Sequence, residues 1–168
     1  HSFYYLFARG LPGVLSFAAL MLFTRLLTPA EFGRYALVLA GVSLVHVVVF
    51  QWLQLVLARF LPGHQDTPQV VLQPMLALFL LLAVVVSGAG IILVLLWPDP
   101  IWQSLIVLAI PLTIAQGWLQ INLTLVSTQL TPAKYGYLLG SKSLFALLIG
   151  GVLVWFDWGA HGPLLGLL

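Results

Sequence analysis

Three cations sit inside otherwise apolar stretches: Arg9, Arg59 and Lys142. Charges placed in hydrocarbon are rare and costly, so such residues are the first candidates for function. A guanidinium fork fits two phosphate oxygens and an ammonium binds them as a point charge. The chemistry these residues suit is therefore recognition of a phosphate or pyrophosphate head group. The competing reading is that all three reach toward a surface and only orient their helices. Arg9 and Lys142 lie deeper in their stretches than Arg59, which stands near an end. Uncharged polar groups accompany them. At about 100° per residue, Thr113, Gln116, Gln120, Thr124 and Ser127 fall on one helical stripe about 80° wide. By the same count Ser43, His46, Gln51 and Gln54 share a face, and so do Arg9, Gly13, Ser16 and Thr24. Such groups bind sugar hydroxyls in a wet cavity, or hold helices together at about 0.6 kcal/mol each. Five polar residues in register around Gln116 exceed what packing needs, which favours the cavity there. His46, alone deep in its stretch, reads as a neutral hydrogen-bonding group rather than a proton relay. His64, Gln65 and Asp66 have loop composition and do not form a metal site.

These residues must be positioned by elements that live in lipid. Hydrophobic residues make up 62% of the 168 and charged residues 6%, against about 25% charged in a soluble domain. So few charges could not cover a water-facing surface. The formal net charge of +2 is unclustered and gives no nucleic-acid partner. Cysteine is absent, which excludes disulfides and thiolate metal sites; no metal or cofactor is expected. Metal-assisted phosphoryl chemistry needs paired carboxylates, whereas Glu31, Asp66, Asp99 and Asp157 are far apart in sequence. The chain therefore reads as no enzyme. It starts at His1 and stops at Leu168 within an apolar run, and reads as a fragment of a longer protein.

The expected fold class is all-α: a polytopic transmembrane helix bundle of five spans and the start of a sixth. The spans are 3–27, 35–61, 74–97, 101–128 and 137–156, and the sixth begins at 162–168. Pro12-Gly13 and Pro111 should kink the first and fourth. Pro62–Gln73 reads as a loop. Trp97-Pro98-Asp99-Pro100 reads as a tight turn, with Trp97 and Trp102 as interface anchors. Ser87, Gly88 and Gly90, and the pair Gly136 and Gly140, are small packing residues. Thr28-Pro29-Ala30-Glu31 is a helix start: hydroxyl N-cap, Pro at the first position and Glu at the third to complete a capping box. Leu130–Gly136 (LTPAKYG) echoes Leu27–Gly33 (LTPAEFG) three spans later, on the opposite side of the membrane. An inverted repeat of three helices would place it so; a good helix start used twice would also do it. Basic residues divide four to two, with Arg9, Arg59, Lys134 and Lys142 against Arg25 and Arg34, which favours a cytoplasmic N-terminus.

The first corner carries a resemblance. Its residues Arg25, Leu26, Leu27, Thr28, Pro29, Glu31, Phe32, Gly33, Tyr35 and Ala36, in the order RLLTP-x-EFG-x-YA, resemble the loop between the first two membrane helices of bacterial polysaccharide-biosynthesis flippases. These belong to the multidrug/oligosaccharidyl-lipid/polysaccharide exporter superfamily. Thr131, Pro132 and Gly136 are the matching positions of the second corner. The resemblance implies the N-terminal half of a two-bundle, alternating-access transporter in the bacterial inner membrane, N-terminus cytoplasmic. It implies a polyprenyl-pyrophosphate-linked glycan as substrate, an O-antigen or exopolysaccharide unit. Its implied partners are membrane lipid, a C-terminal half of the same protein and polysaccharide polymerase machinery. Arg9, Arg59 and Lys142 would then line a cavity with Gln51, Gln54, Thr113, Gln116, Gln120 and Thr124. Two alternatives stand beside it: a cation-coupled multidrug extruder of the same superfamily, and a polytopic membrane protein without transport. An extruder should carry a carboxylate inside a span, and all four acids fall in corners.

Overall fold

A computed structural model describes residues 13–14, 17–64, 67–128, 148–149, 152 and 161–167. These are almost entirely helical. In chain order they form α1 (Phe17–Leu26), α2 (Pro29–Val45), a π-helical turn (His46–Phe50), α3 (Gln51–Phe60), a 3-10 turn (Leu61–His64), α4 (Gln69–Leu96), α5 (Pro100–Thr128) and α6 (His161–Leu167). Among the described residues, three stretches are long and apolar enough to cross a membrane: Pro29–Gly63, Gln69–Leu96 and Pro100–Val126. The second half of the expected span 3–27 holds α1, a shorter apolar helix, while residues 3–12 and nearly all of 137–156 lie outside the described residues; α6 stands where the sixth span was expected to open.

The chain divides into two compact units, residues 1–39 with 131–168 and residues 40–130. In the first, the corner folds as its residue types predict. Thr28 closes a capping box with Glu31: the Thr28 backbone N–H donates to Glu31 Oε2 at 3.0 Å, and the Thr28 hydroxyl donates to the same oxygen at 2.7 Å. The Glu31 N–H points back at Thr28 Oγ1, 3.4 Å away. Exposed donors at the helix start are thereby satisfied within four residues. Pro29 opens the helix where its missing N–H costs nothing. Behind the box, Phe23 meets Tyr35 edge-on, with ring centroids 5.8 Å apart, and both are buried.

In the second unit α3, α4 and α5 pack around Phe50, Leu53, Leu57, Met75, Phe79 and Ile121. Phe79 sits at 5.3 Å from Phe50 and 5.5 Å from Trp118, so one aromatic row ties the π turn, α4 and α5 together. Close approach is set by two glycines. A Cβ on Gly117 would stand 3.1 Å from the Phe50 ring, and one on Gly90 2.5 Å from Ile110 Cγ1. Gly88, expected to pack, has no neighbouring atom within 4 Å, and Ser87 turns its hydroxyl to the Ala83 carbonyl at 2.8 Å. The outward face of α4 is bare hydrocarbon, with Leu95 78% and Val84 72% exposed. Lipid is the solvent that covers such a face.

Two boundaries differ from expectation. The loop expected over Pro62–Gln73 is shorter, because α4 starts at Gln69, five residues before Pro74. Pro68 precedes the first turn, and its carbonyl accepts from Val71 and Leu72. Pro74 then lies inside the helix, and its missing N–H leaves the Val70 carbonyl without its usual partner. The span expected from Tyr35 begins at Pro29, six residues earlier. The turn at Trp97–Pro100 is also the start of α5: Asp99 Oδ1 accepts from the Ile101 N–H at 2.9 Å, and Pro100 takes the first position.

Candidate functional site

The π turn is the feature that arranges the polar groups of the second span. The Gln51 N–H donates to the carbonyl of His46, five residues back, instead of four. One extra residue is thus accommodated in the turn. In an unbroken α-helix, His46 and Gln54 would differ by about 80° around the axis. With the extra residue absorbed the offset falls to about 20°. The two side chains meet: Gln54 Nε2 lies 3.2 Å from His46 Nε2. An amide nitrogen only donates, so in this orientation His46 accepts at Nε2 and carries its proton on Nδ1. Both residues are half-buried, and the imidazole stacks on Phe50 at 6.3 Å. His46 is therefore held as a hydrogen-bonded ring. The sequence carries a signal for this turn that its polar pattern alone misses. Val47, Val48 and Val49 are three consecutive β-branched residues, which crowd the preceding turn of an α-helix.

The polar stripe of α5 runs beside a packed face. Leu105, Leu112 and Leu123 are buried, as are Ile121 and Gly117. At 100° per residue the leucines lie roughly opposite Ile121 and Gly117, so α5 is covered on two sides. Thr113 is buried at 3% exposure and donates its hydroxyl to the Ala109 carbonyl at 2.7 Å. Thr124 does the same to the Gln120 carbonyl at 2.9 Å. These two hydroxyls direct their donors into their own helix. Gln116 is half-buried and Gln120 exposed, and the side chain of Ser127 lies outside the described residues. Asn122, in a glycosylation-like triplet, sits mid-helix and donates to the Trp118 carbonyl at 2.8 Å.

The remaining candidates separate. Gln51 is exposed on the first turn of α3. Arg59 is exposed in the last turn of α3, its guanidinium carbon 6.0 Å from the centroid of the Phe60 ring. No Asp, Glu, Lys or Arg occurs from Tyr35 to Ala58. At about 1.5 Å per residue that run is about 36 Å long, more than the hydrocarbon thickness of about 30 Å. Arg34 and Arg59 can both reach head-group level at its two ends. Arg25 is exposed beside the first corner, and Gly33 has open space around it. Arg9 and Lys142, and the second-corner residues Thr131, Pro132 and Gly136, lie outside the described residues. Glu31 and Asp99 both serve helix starts, through Thr28 and the Ile101 N–H. Both described acids sit at helix starts, Glu31 in the first turn of α2 and Asp99 just ahead of α5.

No family model, no curated protein and no solved structure matches the chain.

Proposed function

We propose that the chain is part of a flippase that moves a lipid-linked oligosaccharide, an O-antigen or exopolysaccharide unit, across the bacterial cytoplasmic membrane. In this reading it is one bundle of a two-bundle transporter, with five spans and the start of a sixth. The observation that carries it is the corner RLLTP-x-EFG-x-YA, which closes its capping box between apolar helices. The amides on α5 support it, because half-buried Gln116 and exposed Gln120 stand in an apolar helix that only protein or water can accommodate. The positions of Glu31 and Asp99 favour it over a cation-coupled extruder, which should keep a carboxylate within a span to bind its ion.

The mechanism follows from the charges. Arg9 and Lys142 would hold the pyrophosphate, while Gln116 and Gln120 exchange hydrogen bonds among sugar hydroxyls. The transporter would open to alternate sides, with the isoprenoid tail remaining in lipid. Replacing Arg9 and Lys142 together by alanine should lower glycan export at least about tenfold, because each charge-assisted phosphate contact contributes about 1.5–3 kcal/mol. Export is measured in cells with protein level monitored. Unchanged export at normal protein level would remove the proposal.

A further inference from the structure

An open apolar groove of about 220 Å³ runs between α3 and α4, walled by Trp52, Val56 and Phe60 on one side and by Val71, Met75 and Leu78 on the other. Pro74 forms part of its wall. From Phe60 to Trp52 the groove follows α3 for about 12 Å. That is most of one hydrocarbon leaflet, about 15 Å deep. At the Phe60 end the Arg59 guanidinium rests at 6.0 Å from the ring centroid. Arg59 is the one charged residue on the two helices that build the groove, since α4 has none. A greasy channel of leaflet depth with one cation at its mouth has the shape and charge of a single lipid chain below an anionic head group.

We propose that this groove seats an acyl chain of an anionic glycerophospholipid, with the lipid phosphate on Arg59. The assignment rests on the placement of α3 and α4 in a membrane, not on the transport reading. It gives Arg59 a role apart from any central vestibule. The guanidinium donates a fork of N–H groups to phosphate oxygens. Its contact with Phe60 ties that fork to the groove's rim. A zwitterionic lipid offers the same chain, but its ammonium offsets the attraction.

Trp52 is a built-in reporter, 41% exposed on the groove wall. The 168-residue chain is reconstituted in vesicles that contain brominated phosphatidylglycerol or brominated phosphatidylcholine. The Trp52 contribution is the difference between the parent chain and Trp52→Phe. The anionic brominated lipid should quench Trp52 at about fivefold lower mole fraction than the zwitterionic one, the ratio one basic residue gives at a membrane surface. Arg59→Gln should erase that difference and Arg59→Lys should keep most of it. Val56→Phe, which fills the groove, should weaken quenching by both lipids, with helix content by circular dichroism held constant. Equal quenching by the two lipids, or a preference that survives Arg59→Gln, would overturn the proposal and leave ordinary lipid contact. Absence of quenching by either lipid would overturn it differently, by removing α3 from the membrane.

Discussion

Gly117→Val should destabilise the second unit by about 1–3 kcal/mol, the range for forcing extra atoms into a packed interior. The contact is specific. A Cβ alone would lie 3.1, 3.2 and 3.3 Å from Phe50 Cγ, Cδ1 and Cδ2. These atoms are the body of the ring, not a flexible tip. Phe50 is fully buried and abuts Phe79, so it has little room to retreat. Valine adds two methyl groups beyond that Cβ. In lipid, helices gain little from hydrophobic burial against one another, so packing of this kind carries most of the association. The better helix propensity of valine offsets only a few tenths of a kcal/mol. The measurement is the unfolding midpoint in mixed micelles during titration with a denaturing detergent. Phe50→Leu added to Gly117→Val should recover part of the loss, because the smaller side chain vacates the overlap. Gly88→Val, at a site with no atom within 4 Å, should shift the stability by less than about 0.5 kcal/mol. Equal midpoints for Gly117→Val and Gly88→Val would contradict the packing described.

Two single-residue deletions in one span should behave in opposite ways. Val48 is 68% exposed within the π turn, and Leu55 is 65% exposed within α3. Neither contributes to the core, so contact loss does not separate them. Register does. The π turn holds one residue more than an α-helix of the same facing requires. Deleting Val48 should convert it to α-helix and leave Leu53 and Leu57 directed at the core. Deleting Leu55 removes a residue from regular helix and rotates everything after it by about 100°. The slot that fully buries Leu57 would then receive Ala58. Cavities left by Leu→Ala changes cost about 2–5 kcal/mol in water-soluble cores, and Phe60 and Arg59 would be misdirected as well. The chain without Val48 should therefore keep its detergent-unfolding midpoint within about 1 kcal/mol of the parent, and the chain without Leu55 should fail to accumulate. Similar losses for both would mean that the π turn is not an absorbed insertion.

The parts of this fold that were legible in the sequence are those set by local chemistry. Thr28, Pro29 and Glu31 specify a helix start within four residues, and no distant contact is needed to read it. Membrane-crossing helices were legible because an apolar run over 18 residues long has few other uses. Pro74 misled the boundary of α4. A proline opens helices more often than it sits inside them, but here the carbonyls of Thr67 and Pro68 had already started the turn. Gly88 and Gly90 look alike in sequence. Only the approach of Ile110 on α5 makes one a contact and leaves the other facing open space. Likewise, simple helical counting gives Thr113 and Gln120 the same face. It does not show that Thr113 turns its hydroxyl to the Ala109 carbonyl, or that Thr113 and the leucines beside the stripe are buried. Arg59 could be read from sequence only as a cation near a span end. Its place at the mouth of an apolar groove depends on which face of α4 lies opposite.

The central claim is that the amides of α5 meet water inside the membrane. The chain has no cysteine, so single cysteines can be introduced at Gln116, at Gln120 and, as a lipid-facing control, at Val84. Each variant is challenged in intact membranes with water-soluble thiol reagents, one anionic and one cationic. Gln116→Cys and Gln120→Cys should react with both reagents, and a pyrophosphate-linked glycolipid should slow them, while Val84→Cys stays unmodified. Gln116→Cys and Gln120→Cys as unreactive as Val84→Cys would contradict the account.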